Sequence, residues 1–359
     1  MEAPLRRATC KTHRVIHQRI IGTPVPIIRT GSSGSGWLRA GRFGSYPVAM
    51  SCVRNLPKWL MVAAGLLFAV PLVDEGVAGE PEFAFGVVAD VQYADKETSG
   101  QRRYRESLGK LKEAVEDLNG GNLSFTVNLG DSIDGRDEES RADLREVTQV
   151  FEGSKAPVRH VIGNHCLELE RRQLMDALGL ASAHYSFVQG DWMFVVLDTM
   201  DISLKAEPGS EELAEAEAWL ERDPTLPTYN GAVGDVQLRW LEGELQRARA
   251  SNQRVVIFSH HPFATESGHE SLLAWNAAAM RRLLARSGCV VACFSGHDHE
   301  GAYVLEDGTH YLTVPGMVEA SEESNRYAVV EVYGDRLEVL GRGEVESRSL
   351  SVRVAGDGR

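Results

Sequence analysis

The chain has 359 residues, 43% of them hydrophobic and 25% charged, enough apolar material for one large globular domain or two small ones. Its charge is unevenly placed: residues 1–58 carry ten Lys+Arg against one acidic side chain, 59–73 carry none, and the remainder holds 28 basic against 50 acidic residues, a net of −22. A surface that acidic repels nucleic acid and anionic lipid, so no nucleic-acid partner is expected, and an anion would bind only at a local positive centre such as bound metal ions.

Residues 1–49 are rich in Arg, Gly and Ser, include GSSGSG at 31–36 and show no sustained period, so this stretch is expected to be disordered. Met50 is followed by Arg54 and Lys58, then the uncharged WLMVAAGLLFAVPLV at 59–73, then small residues at 77–79. That order is the pattern of a secretory signal peptide or an uncleaved N-terminal anchor over 50–79, and it predicts an exported protein. A signal peptide begins at a chain terminus, which makes Met50 the expected initiator and 1–49 an artefact of start assignment. Five cysteines, Cys10, Cys52, Cys166, Cys289 and Cys293, are not spaced as a disulfide framework or a zinc knuckle. Cys289 and Cys293 would lie roughly 13 Å apart along a strand, too far to pair, and read as small buried hydrophobes.

From residue 83 strand-like runs alternate with helical ones, which predicts an α/β or α+β layered domain over 80–345, with 346–359 as a tail. The expected strands are 83–88, 125–129, 158–162, 193–197, 255–258 and 290–294. Helices are expected at 104–118, where Leu108, Leu111, Val115 and Leu118 recur at helical spacing, and at 235–250, through Leu238, Leu241 and Leu245. Later runs at 311–314, 327–332 and 337–340 lack intervening helices and predict antiparallel strands. The acidic run SEELAEAEAWLE at 210–221 reads as a solvated helix face.

Five blocks punctuate this pattern, each just past an apolar run: FGVVADVQ, NLGDSID at 128–134, VIGNHC at 161–166, FSHHP at 258–262 and FSGHDHEG at 294–301. Loops after the carboxyl ends of strands converge on one crevice in an open sheet, so residues remote in sequence can meet there. Asp90 and Gln92, two apart, would face one side of an extended chain. Gly130 lets the backbone turn sharply before Asp131. Asn164 offers a carbonyl oxygen, His260 an imidazole, and His297 and His299 a same-side pair. Together they read as one dinuclear metal site, and mixed oxygen and nitrogen donors suit Mn2+, Fe or Zn2+. His261 would point away from His260 in extended chain and so be structural or indirect. His184, His269 and His310 have no partner motif and are expected on the surface or satisfied in the core.

The blocks resemble those of the calcineurin-like metallophosphoesterase superfamily over about 260 residues. That resemblance implies a sandwich of two mixed β-sheets flanked by helices, with one ion held by Asp90, Gln92, Asp131 and His299 and the other by Asp131, Asn164, His260 and His297. It further implies that His165 contacts substrate phosphate and protonates the leaving group, paired with Asp134. Gln92 stands where His is more common, which makes the first site richer in oxygen and favours Mn2+. Cys166 stands where Asp or Glu usually follows the histidine, which alters local hydrogen bonding.

A narrower resemblance rests on ADVQYAD at 89–95, RRYRESL at 102–108, NGAVGDVQLRWLEGEL at 230–245, AWNAAAMRRLL at 274–284, GHDHEGAY at 296–303 and VPGMVEAS at 314–321. These are similar to the manganese-dependent ADP-ribose/CDP-alcohol diphosphatase group. The resemblance implies two divalent cations, hydrolysis of a nucleotide-derived small-molecule phosphate, and no stable protein partner. Arg102 and Arg103 are candidates to meet a substrate phosphate, though a solvated helix start is the role the sequence favours for them. Trp275 and Asn276 are candidates to stack on and hydrogen-bond a base, with helix packing the rival role for the tryptophan. A general phosphomonoesterase or phosphodiesterase, or a catalytically inactive binding protein on the same scaffold, stands as the alternative.

Overall fold

The computed structural model describes residues 79–135, 139–265 and 268–352. The leader expected over 50–79 lies, but for Gly79, outside the described residues, as do 1–49, Cys10 and Cys52.

Eighteen elements follow in chain order. They are β1 (Phe83–Val88), α1 (Ser107–Leu118), β2 (Leu123–Asn128), α2 (Ser140–Glu152), β3 (Val158–His160), α3 (Arg171–Ala177), β4 (Tyr185–Gln189), β5 (Trp192–Val196) and α4 (Glu211–Arg222). Then come α5 (Asp235–Ala250), β6 (Arg254–Phe258), α6 (Ala277–Ser287), β7 (Val290–Ser295), β8 (Ala302–Glu306), β9 (Thr309–Thr313), β10 (Arg326–Val332), β11 (Arg336–Gly343) and β12 (Arg348–Ser351).

The strands form two mixed six-stranded sheets, ordered β12-β11-β10-β1-β2-β3 and β4-β5-β6-β7-β9-β8. In the first, β1, β2 and β3 are parallel and β10 runs antiparallel to β1. In the second, β5, β6, β7 and β9 are parallel, with β4 and β8 as antiparallel edges. The two-residue period of a strand sorts side chains between layers. Phe85 and Val87 of β1 and Trp192, Phe194 and Val196 of β5 enter the core between the sheets, while Met193 and Val195 face the helices outside. Phe194 sits at the centre of that inner core, its ring 4.9 Å from Phe125, 5.6 Å from Phe85 and 5.8 Å from Phe258. A second cluster packs α1, α2 and α3 on the first sheet, and a third packs α5 and α6 on the second. Helices, sheet, sheet and helices make four layers, the sandwich that the resemblance implies.

Four expectations need correction. The segment 346–359 is not simply a tail, because Arg348–Ser351 pairs with β11 and Leu350 is buried in the inner core. The strand expected at 311–314 is β9, antiparallel to β8 as expected but also parallel to β7, because a tight hairpin through Asp307 and Gly308 inserts β8 between them in the chain. Helix α1 starts at Ser107 rather than 104, since Tyr104 turns back to pack on Ala94 and Val318. The fourth lies in the loops that carry the site: Asp90 and Gln92 are not extended.

Candidate metal centre

Asp90 follows β1, Asp131 follows β2, Asn164 follows β3, His260 follows β6, and His297 and His299 follow β7, all at carboxyl ends. The chain turns there instead of continuing the ladder. Asp90, Gln92, Asp131 and His297 lie at φ 49°, 41°, 45° and 69°, a left-handed region that costs a side-chain-bearing residue roughly 1–3 kcal/mol unless its surroundings enforce it. The shared side expected of Asp90 and Gln92 therefore comes from two successive left-handed turns. Gly130, at φ 105°, provides the sharp turn anticipated before Asp131. Gly163 is needed for a different reason: a Cβ there would stand 2.1 Å from Asp131 Oδ1, so the loop after β3 approaches the carboxylate as bare backbone.

All seven expected ligands converge. His260 Nε2 lies 3.0 Å from Asn164 Oδ1, 3.3 Å from Asp131 Oδ2 and 3.1 Å from His297 Nδ1. On the other side of Asp131, Gln92 Nε2 donates to the same Oδ2 at 3.2 Å. Asp90 Oδ1 lies 3.5 Å from His299 Nε2, and both its oxygens accept from the His297 backbone N–H. His297 and His299 thus part toward opposite ends of the cluster. His261, expected to be structural or indirect, is buried beside them, its ring 4.2 Å from that of His297 and its Nδ1 bound to Thr199 Oγ1 at 2.8 Å. Among the described residues its Nε2 has no hydrogen-bond partner.

The donor set suits divalent cations. Gln92 Oε1 is fully buried without a hydrogen-bond partner while its Nε2 is engaged, which leaves a carbonyl lone pair among carboxylates, as a ligand oxygen requires. Asp90 and Asp131 are wholly buried, and ionised carboxylates persist in such a place only with compensating positive charge. Burial raises Asp131, but His260 and His165 more than offset it and hold its carboxyl far below the usual range. Burial also opposes charge on His260, and Asp131 overrides it, lifting the imidazole to about 9. His299 is likewise lifted to about 9 against its burial, by Asp90 and Glu319. His297 moves the other way, held well below its usual value by burial and by His261 and His260. Two of the candidate ligand histidines turn their other nitrogen to a fixed acceptor: His260 Nδ1 meets the Leu129 carbonyl at 2.9 Å and His299 Nδ1 meets Glu319 Oε1 at 2.9 Å. Such contacts fix ring orientation and tautomer.

His165 stands at the rim, its backbone N–H donating to Asp131 Oδ1 at 2.9 Å. Its ring Nδ1 contacts the backbone carbonyl of Asp134 at 2.6 Å, while the Asp134 carboxylate is 3.6 Å away and pairs with Lys96. Asp134 does accompany His165, with its peptide carbonyl as the closer partner. Cys166 takes no acidic role: its buried Sγ accepts from the Ser132 N–H at 3.2 Å.

The candidates for substrate contact fare differently. Arg102 reaches Glu319, which holds His299, so it borders the centre; Arg103 anchors its loop through its N–H to the Val318 carbonyl. Trp275 takes part in packing: its Nε1 donates to the Pro227 carbonyl and its ring stacks on Trp219 at 6.3 Å. Asn276 is also spent internally, donating to the Val233 carbonyl at 2.8 Å and accepting from its N–H. Both tie α6 to the loop before α5. An aromatic side chain that does flank the centre is Tyr229, 45% exposed with its ring 6.0 Å from His297. His310 is a satisfied core residue between Tyr303 and the Ser351 carbonyl, and His269 an exposed one on Asp298.

Lys96, Asn230 and Glu319 were not singled out from the sequence, although each lies in or beside a block that carries the narrower resemblance. Their roles depend on which ring or carboxylate they face after folding.

Comparison with known proteins agrees with this geometry. Residues 83–301 match the calcineurin-like phosphoesterase family. A relative from Arabidopsis thaliana named manganese-dependent ADP-ribose/CDP-alcohol diphosphatase is 33% identical over 75% of this chain and 97% of its own length. One of the same name from Oryza sativa subsp. japonica is 35% identical over 76% and 94%. The crystal structure of a dimetal phosphatase from Danio rerio superposes with a TM-score of 0.72 at 30% identity, covering 76% of this chain and all of that one. By sequence and by fold, the chain belongs to the calcineurin-like phosphoesterase family and is a metal-dependent hydrolase of phosphoanhydride or phosphoester bonds.

Proposed function

We propose that the chain hydrolyses the phosphoanhydride of a nucleoside diphosphate joined to a sugar or alcohol, of the ADP-ribose or CDP-alcohol kind, at a dinuclear centre that works with Mn2+. The observation that carries the two-ion reading is Asp131, whose Oδ2 lies between Gln92 and His260, as a shared ligand must. The relatives' shared name supports both the substrate class and the metal. Asp90, Gln92, Asp131 and His299 would hold one ion, and Asp131, Asn164, His260 and His297 the other. Asp90 and Asp131 offset only half of the ions' formal charge, so an anionic phosphate is attracted into an otherwise acidic protein.

When bound, two divalent cations supply Lewis acidity toward phosphoryl oxygens and acidify water into a nucleophile near neutral pH. His165 does the complementary work. With Nδ1 donating to the Asp134 carbonyl, the imidazolium presents Nε2–H outward to the departing oxygen, an assistance typically on the order of 10²–10⁴-fold. Tyr229 is suited to lie against a base or sugar, since its ring is exposed beside His297. The leader pattern at 50–79 supports export as part of the same proposal.

The test is a substrate panel with Mn2+-reconstituted protein. ADP-ribose and CDP-choline are expected to turn over well ahead of p-nitrophenyl phosphate, and folded Asp131→Asn and His165→Ala proteins to lose at least a hundredfold. Preference for the monoester would overturn the substrate; parental rates in both variants on bis-p-nitrophenyl phosphate would overturn the mechanism.

A further inference from the structure

The geometry points to Asn230 as the positioning residue that fixes the tautomer of His297 and so delivers its Nδ1 lone pair to the metal centre. The inference rests on the dinuclear reading above and names what makes one of its ligands competent.

Asn230 is completely buried in the loop that leads into α5. Its side-chain amide makes three contacts. Nδ2 donates to the Ser271 carbonyl at 2.9 Å and to the Leu273 carbonyl at 2.8 Å, and Oδ1 lies 3.1 Å from His297 Nε2. Both hydrogens of the NH₂ are therefore committed. Turning the amide over would set its oxygen against two carbonyl oxygens, so chemistry assigns Oδ1 to the histidine side.

An amide oxygen only accepts. His297 Nε2 must then carry the hydrogen, and a neutral imidazole with Nε2–H has its lone pair on Nδ1. Nδ1 is the atom that faces inward, 3.1 Å from His260 Nε2. Without Oδ1 the ring loses the acceptor that holds the hydrogen on Nε2. The loop that holds Asn230 is itself tied down by the two carbonyls of 271 and 273, so the acceptor is placed to within a rotamer before any ion arrives. The device parallels the Leu129 carbonyl on His260 and Glu319 on His299, with the difference that Asn230 is a neutral side chain and can be exchanged.

Two variants separate this role from simple anchoring. Asn230→Asp keeps an acceptor for His297 but loses both N–H donors, whereas Asn230→Leu loses all three contacts at similar size. Calorimetric titration of metal-free protein with Mn2+ is expected to show two sites in the parent and in Asn230→Asp, with one site weakened on the order of 10–100-fold only in Asn230→Leu. Thermal melting of both metal-free variants is expected to fall alike, reporting the lost anchors. Long-range ¹H–¹⁵N correlation spectra of the histidine rings in the metal-free parent should show His297 as the Nε2–H form, and in Asn230→Leu a mixture. Equal Mn2+ affinity in both variants, or a parental His297 in the Nδ1–H form, would overturn the assignment. A parent that binds fewer than two Mn2+ would overturn the dinuclear reading instead, and the ring spectra, taken without metal, would still decide the role of Asn230.

Discussion

Cys166 sits one residue from His165 and within a hydrogen bond of the loop that holds Asp131, yet it belongs to the scaffold. Burial and the Asp131 charge push its thiol up to about 12, so the thiolate that reacts with electrophiles is negligible at neutral pH. Native protein treated with iodoacetamide at pH 8 should leave the peptide containing Cys166 unlabelled, while unfolded protein labels it fully; peptide mass mapping decides, and rapid native labelling would contradict the assignment. The same residue shows what could and could not be read from the sequence. Asp, Asn and His at strand ends announce themselves as ligands because few other roles need those types in that series. Asn230 and Glu319 do not, since their work is defined by a ring nitrogen that only folding brings near. The polar atoms of Trp275 and Asn276 would suit a ligand, but local backbone engages them.

Strand β3 places a titratable group in the packing rather than in the site. His160 is buried against Phe151, its Nδ1 3.3 Å from the Asn128 amide, and burial lowers its pKa to about 4. Between that value and the ordinary 6.5 the unfolded chain binds the extra proton, so stability falls as pH drops through this window and is fully present above it. The whole effect is on the order of 3 kcal/mol. Urea unfolding of metal-free parent and His160→Gln between pH 4 and 7 should give curves that converge toward the acid end, and a constant gap would refute it. At this scale the sequence was clearest where apolar runs are long. Helix α5 begins and ends where the period of Leu238, Leu241 and Leu245 places it, and β1 likewise. Strands β4, β8 and β12 escaped because edge strands need few apolar side chains: RSLS contributes one buried residue, Leu350. The left-handed turns at Asp90 and Gln92 escaped because nothing in ordinary residue preference predicts φ above zero for them.

Across the whole molecule the ligands divide between layers. Asp90, Gln92, Asp131 and Asn164 come from the first sheet, and His260, His297 and His299 from the second. Ions held between them would tie the two sheets together at one rim, while the phenylalanine core joins them through the middle. Binding to the folded state alone stabilises it by about 2.7 kcal/mol at a hundredfold excess over Kd. Stripping with a chelator should therefore lower the melting temperature by roughly 5–8 °C, and Mn2+ but not Ca2+ should restore it, as read by calorimetry. An unchanged melting curve would mean that the centre is not a clasp.

The first sheet is also discontinuous in the chain: its middle strand, β1, is hydrogen-bonded on one side to β2 and on the other to β10, more than two hundred residues later. A ribosome therefore releases the carboxylate half of the centre long before the imidazole half, and before the strand that locks β1 in place. The nascent chain has no finished trap for a cation. Whichever compartment hosts the last stage of folding consequently chooses the ion from its own supply.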